Sequence, residues 1–309
     1  MLIREILKKN RILVRWVNSG RIVGYKIATM ISPRLNTALH YKAAFHRRWN
    51  PDNPITVNDK ILWLKFNTYW NNPLVKQCAD KYRVRQYVED VGCKEILNKL
   101  IAVYDDEKDI EWNTLPEKYA LKLNVGCGAN IIVTDSSKLD VEETKARLNK
   151  WMHSKYYLLH SEMQYKGVKP CIIVEEYLQP KRGLLPEDYK FYCINGKAEY
   201  VMVCVGREQG GHPRFYFYDR SWNFVPFEEQ EDPGIQKPKL IDKAFEYADV
   251  LARPFPFVRT DLYLFDDRII FGELTFTSAG GFDNDLTEDA QMTMGKMINL
   301  EYASNNWRK

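Results

Sequence analysis

The pair Asn195-Gly196, set between apolar β-type runs at 189–194 and 198–205, limits the fold of this chain more than any other feature. A type I′ turn needs positive φ at both central residues, which Asn and Gly tolerate, so the dipeptide predicts a two-residue antiparallel hairpin. Further strand pairs are expected at 215–218 with 223–225 and at 258–265 with 269–276, the latter joined around Asp266-Asp267. Upstream, strands at 119–124 and 131–133 flank a glycine-containing loop, and 171–178 is an apolar strand ending in two acids. The first third instead carries helical periodicity. One helix spans 56–70 with Thr56 or Asn58 as cap, a second opens at Pro73, and a third runs from Asp80 to a natural terminator, Gly92. Helices from Asp140 to Met152, over 241–251 and from near Thr287 complete an α+β chain.

Charge is unevenly placed. The net charge of the 309 residues is +4, yet the first fifty carry eleven cations against Glu5, or +10, leaving −6 for the remainder. On a helical projection Ile3, Ile6, Leu7, Val14 and Val17 share one side, while Arg4, Lys8, Arg11 and Arg15 share the other. Two readings of this basic amphipathic helix stand level: a segment lying in an anionic membrane interface, or a helix packed on the acidic body with a solvated basic face. Nucleic acid is not expected as a partner, because no recognition motif accompanies the charge. Six scattered cysteines without a CxxC pair argue against a zinc site or a disulfide framework and suit a reducing compartment. No uninterrupted run of 18 apolar residues and no secretory signal is visible, so a cytoplasmic protein is expected.

Three short segments carry the chemistry. Within residues 257–282, a three-residue loop at Asp266-Asp267-Arg268 would set Asp261 directly across from Glu273. Arg259, Asp261, Glu273 and Thr275 would then share one face, with Leu262, Leu264, Ile270, Leu274 and Phe276 on the other. A two-residue turn would put the two carboxylates on opposite faces. Facing carboxylates repel unless a cation lies between them, either Arg259 or a hard divalent ion such as Mg²⁺. The second segment is Lys122 before Asn124-Val125-Gly126-Cys127-Gly128, which suits a phosphate cradle or an ordinary tight turn; it lacks the terminal GK[ST] of a Walker A loop. The third is VEEYL at 174–178, followed by Asp188 and Lys190, an acidic strand end able to meet a nucleoside. The histidines His40, His46, His153, His160 and His212 have no motif spacing.

Their order, with NDKILWLK (58–65), DKYRVRQYV (80–88), LKLNVGCGAN (121–130), DYKFYCINGK (188–197), VRTDLY (258–263) and FGELTFT (271–277), resembles the TupA-like ATP-grasp family of bacterial surface-polysaccharide gene clusters. The resemblance spans about residues 40 to 295. It implies an ATP-grasp fold: a basic N-terminal segment (1–50), a helical lead-in (51–95), a first subdomain with the glycine loop (96–170) and a second with a metal-binding hairpin (171–309). It further implies that Arg85 and Lys122 reach the phosphates of ATP over Gly126 and Gly128, that Glu175, Glu176 and Leu178 form the adenine-contacting hinge, and that Asp188 binds the ribose. Lys190 would lie near the phosphates, Arg259 would steady the reacting carboxylate, and Asp261 and Glu273 would hold Mg²⁺. Thr275 departs from the family's metal-binding Asn, and Val125 and Cys127 from its His and Ser. The implied activity is ADP-forming ligation of an amino acid or other amine to a uronic-acid or other carboxylate in capsule or cell-surface glycan synthesis, with an anionic membrane or lipid-linked glycan as a further partner. Two rivals are a glycosyltransferase using the DxD at Asp283-Asn284-Asp285 for a nucleotide sugar, and a membrane-recruited nucleotide-binding protein without turnover.

Overall fold

The computed structural model describes residues 11–180, 186–206 and 213–302. Ile3, Arg4, Ile6, Leu7 and Lys8 of the expected basic helix, and His212, lie outside them. Helix α1 (Arg11–Ile31) turns at Ser32 into α2 (Pro33–Phe45), where the Ser32 hydroxyl accepts from Leu35 N at 3.3 Å. Helix α3 (Val57–Leu64) starts on Thr56, whose side chain accepts from Asp59 N while Asp59 accepts from Thr56 N, the reciprocal pairing of a capping box. The expected helix over 56–70 does not stay α-helical: it passes into a π-helical turn, Lys65–Tyr69. That turn buries Lys65, whose Nζ donates to the His160 carbonyl. Helices α4 (Pro73–Ala79) and α5 (Val84–Asp90) follow. The third helix begins at Val84 rather than Asp80, because the Asp80 carboxylate takes the amides of Tyr82 and Arg83 into a turn; Gly92 ends the segment at φ 83°.

Two antiparallel sheets come next. The first contains β1 (Leu100–Tyr104), β2 (Tyr119–Leu123), β3 (Asn130–Val133) and β4 (Ile172–Glu176) in the order β1-β4-β2-β3, with α6 (Val141–Met152) between β3 and β4. Strand β1 was not foreseen; as an edge strand with every residue half-buried, it lacks alternation. Because β4 pairs with β1 and β2, the two sheets divide after residue 176 and not at 171. The second contains β5 (Asp188–Ile194), β6 (Lys197–Val205), β7 (Arg214–Asp219), β8 (Phe224–Val225), β9 (Phe257–Leu264) and β10 (Ile269–Thr275), ordered β10-β9-β5-β6-β7-β8. Asn195 and Gly196 form the expected tight turn at φ 50° and 78°. Helix α7 (Ile241–Ala252) buries Ala244, Phe245, Ala248 and Leu251, spaced to one helical face, against this sheet, with Phe245 edge-on to Phe191 at 4.9 Å. Helix α8 (Glu288–Met297), capped by Thr287, closes the chain onto α3. Each sheet has its own core: Leu121, Leu148, Ile172 and Val174 under the first, and Phe191, Val201, Phe245, Val258 and Leu262 within the larger second.

The β9–β10 hairpin departs from its expected turn. Phe265 N donates to Arg268 O at 2.9 Å, so Asp266-Asp267 is a two-residue turn, and Leu264, Tyr263 and Leu262 pair with Ile269, Ile270 and Phe271. A bulge at Gly272 then shifts the register by one, and beyond it Asp261 pairs with Glu273 and Arg259 with Thr275. The extra residue restores the carboxylate pair that the short turn alone would have split.

Candidate active site

The two sheets face each other across a cleft of about 470 Å³. Its upper wall is the β2–β3 loop, where Gly126 and Gly128 adopt φ 84° and 75°. At Gly126 a Cβ would sit 2.7 Å from the Tyr156 ring, so both conformation and space require glycine. Asn124, fully buried, donates to Asp80 Oδ2 at 2.8 Å and accepts from Cys171 N at 2.8 Å. Lys81 bonds the same loop twice, through its amide to Asn124 O at 2.9 Å and through Nζ to Gly126 O at 2.6 Å. Loop, pre-α5 turn and the start of β4 are therefore one tied unit.

Behind the loop Glu175 joins two cations, Lys122 at 2.7 Å and Arg85 at 3.2 Å, and Arg85 also donates to Asn98 O at 2.8 Å. On the opposite wall the register of β5, β9 and β10 sets Lys190, Asp261 and Glu273 in a row. Lys190 Nζ lies 2.5 Å from Asp188 and 2.6 Å from Asp261. Arg259 grips Asp261 with two bonds of 2.7 Å, and Lys81 reaches Glu273 at 3.2 Å. Thr275 donates to Glu273 at 3.1 Å, which accounts for its hydroxyl.

Burial works against the charge of all three central groups, and their neighbours prevail. Asp261 and Glu273 leave Arg259 raised, and Asp261 and Asp188 leave Lys190 raised. Lys81, then Arg259 and Lys190, hold Glu273 at about 2. A depressed carboxylate stabilises the fold in full above the ordinary glutamate range and loses that contribution as pH falls toward its folded value. Thermal melts from neutral pH down to about pH 3 should therefore show a smaller drop in Glu273→Gln than in the parent; equal drops would remove Glu273 from the balance.

Ten of the twelve expected residues line the cleft: Arg85, Lys122, Gly126, Gly128, Glu175, Asp188, Lys190, Arg259, Asp261 and Glu273. Glu176 and Leu178 stand beyond the lining residues. The Glu176 main chain is bonded to Asn98 and Lys99, and Leu178 is buried. Lys81 and Gly272 also line the cleft and were not foreseen. Lys81 stood within DKYRVRQYV, but nothing in its spacing separated it from Arg85, and Gly272 looked like an ordinary strand residue. In the DxD, Asp283 is tied to Asn58 through its main chain and accepts from Asp285 N at 3.2 Å, so its carboxylate shapes the turn.

Among the described residues no group of three or more His, Cys, Asp or Glu forms a metal cage. Two carboxylates on one wall instead suit a hard ion such as Mg²⁺, which completes its shell with water and phosphate oxygens. Five cationic side chains and four carboxylates line the cleft, a balance that accommodates a polyanion together with its cation.

Paired α+β sheets closing on a cleft with a glycine loop on one wall and a carboxylate-bearing hairpin on the other are the architecture of the ATP-grasp ligases. Residues 59–299 match the TupA-like ATPgrasp family, and the chain belongs to it. Similar solved structures include D-alanine–D-alanine ligase from Bacillus anthracis with ATP (12% identity, TM-score 0.45, 75% of this chain and 67% of that one). N5-carboxyaminoimidazole ribonucleotide synthetase with ADP (14%, 0.43, 70% and 49%) and the ligase PsnB with a phosphomimetic variant of its minimal precursor, Mg and ADP (12%, 0.41, 79% and 66%) are also similar. The chain thus spans about half to two thirds of these proteins. A search of curated proteins gave no significant match.

Proposed function

We propose that the chain is an ADP-forming carboxylate–amine ligase acting in the cytoplasm. The observation that carries this reading is the row Lys190–Asp261–Glu273 with Arg259 on one wall, facing Lys122, Arg85 and the glycine loop on the other. In this reading Lys122, Arg85 and the Gly126–Gly128 loop hold the phosphates of ATP, Asp188 takes the ribose, and the strand end at Glu175, Glu176 and Leu178 lies toward the adenine. Asp261 and Glu273 hold Mg²⁺, which when bound supplies positive charge to the phosphate oxygens. Lys81 and Lys190 add to that field without supplying a nucleophile.

A substrate carboxylate oxygen attacks the γ-phosphorus, the bond to ADP breaks, and an acyl phosphate results. An amine then attacks the acyl carbon, phosphate leaves with the bonding pair, and the nitrogen loses a proton to give the amide. Arg259 steadies the carboxylate and the developing oxyanion. The acceptor class, a sugar acid of a capsular or cell-surface glycan joined to an amino acid, rests on family membership. The test is ADP release and product mass with panels of amino acids and uronic acids. An amide formed with stoichiometric ADP is expected; ATP binding without turnover by any pair would favour a nucleotide-binding scaffold.

A further inference from the structure

Helices α1 and α2 are docked inside out. Among the side chains described, from residue 20 onward, those buried are Thr29, Asn36, Thr37 and Tyr41, with only Ala28 apolar and lacking a polar group. Thr29 donates to Leu158 O at 2.7 Å, Asn36 to Leu159 O at 2.9 Å, and Tyr41 to Asp59 at 2.6 Å. Polar bonds therefore seat this hairpin on the body. Several large apolar side chains among the described residues point away: Val23, Ile27, Met30, Ile31, Leu35 and Leu39 are 44–72% exposed. In α1 they fall at i, i+4, i+7 and i+8, in α2 at i and i+4, so each helix presents one outward stripe. Isolated exposed apolar residues are ordinary, whereas repeated ones at helical spacing on two joined helices mark an interaction surface.

Charge decides what covers it. Residues 11–50 contain eight Lys or Arg and no Asp or Glu. Arg21 and Lys42 are exposed and Lys26 half-buried on these helices. A second copy docked through the same face would oppose cations to cations. The chain's own first ten residues, with Arg4, Lys8 and Lys9 against Glu5, repel it likewise. An anionic bilayer surface matches both properties, with apolar side chains entering the headgroup–acyl boundary and cations among the lipid phosphates. Among the described residues no helix is long and apolar enough to cross a membrane, so the hairpin would lie in the plane of the interface.

We infer that the α1–α2 hairpin is a membrane-docking surface that holds the protein on anionic phospholipid. This goes beyond the ligase reading and does not depend on it. The test is flotation of the full chain with vesicles of phosphatidylcholine alone or mixed equally with phosphatidylglycerol. Association with the anionic vesicles, weakened by salt and at least ~10-fold tighter than with neutral ones, is expected. Lys26→Gln and Lys42→Gln should each weaken it about fivefold. Combined Val23→Glu, Ile27→Glu and Met30→Glu should abolish it while the melting temperature and the ATP-induced thermal shift stay at parental values. No association, equal affinity for neutral vesicles, or unaltered binding by the triple variant would overturn the inference. So would a concentration-dependent dimer that the triple variant dissolves, which would make a second copy the occupant.

Discussion

Glu273→Gln is expected to lower the rate of ADP formation about 10²–10³-fold with only a small drop in melting temperature at neutral pH. Glu273 keeps 33% of its side chain accessible and meets Lys81 at 3.2 Å and Arg259 at 3.8 Å. Replacing a partly exposed carboxylate by its amide costs stability on the order of 1 kcal/mol, while the negative charge that the hairpin offers to a hard cation is halved. Asp261 is a poorer probe, since Arg259 and Lys190 both pair with it, and its loss would leave largely buried Arg259 with only Glu273 at 3.8 Å and Lys190 with only Asp188 among the described carboxylates, a cost of up to about 3–5 kcal/mol. Steady-state ADP release beside a thermal melt checks the claim; parental turnover in the Gln variant would remove Glu273 from the chemistry.

Gly272→Ala should act through geometry instead, lowering activity roughly 10²-fold and stability by about 1–3 kcal/mol. A Cβ at Gly272 would lie 2.9 Å from the Asp261 carbonyl and 3.3 Å from the Tyr263 ring. The nearer atom belongs to the backbone of the facing strand and cannot swing aside. Relief requires the strands to part or the bulge to slip, and a one-residue slip carries Glu273 to the other face of the sheet. The two variants are thus separable, because the first loses far more rate than stability, whereas the second loses both by displacing the strand pair. An Ala variant with parental values for both would deny the bulge its positioning role.

That bulge also marks the limit of what the sequence discloses. Asn195-Gly196 made its turn legible because φ preference is a local property. The same holds for the caps at Thr56 and Asp140 and for the stripe of α7. The opposition of Asp261 and Glu273 was expected from a three-residue turn; it arises from a two-residue turn plus Gly272, so the pair was anticipated for the wrong reason. Register is set by every pairing between turn and site, and a compensating extra residue leaves no period to detect. Lys81 was overlooked for a related reason: its reach to Gly126 and Glu273 depends on how the pre-α5 turn meets the β2–β3 loop. The α1–α2 hairpin was not foreseen, and for the basic helix ahead of it the sequence left two placements level, since amphipathicity reports two faces without saying which one the body covers.

The resting cleft leaves few of its charges to water alone. Lys122 and Arg85 share Glu175, Lys81 holds Glu273, and Lys190 and Arg259 hold Asp261. A triphosphate seated there would exchange partners with carboxylates rather than strip hydration from bare cations, and its departure would let the internal pairs re-form. On the proposed reading such a site would behave as an ion exchanger whose own carboxylates compete with product.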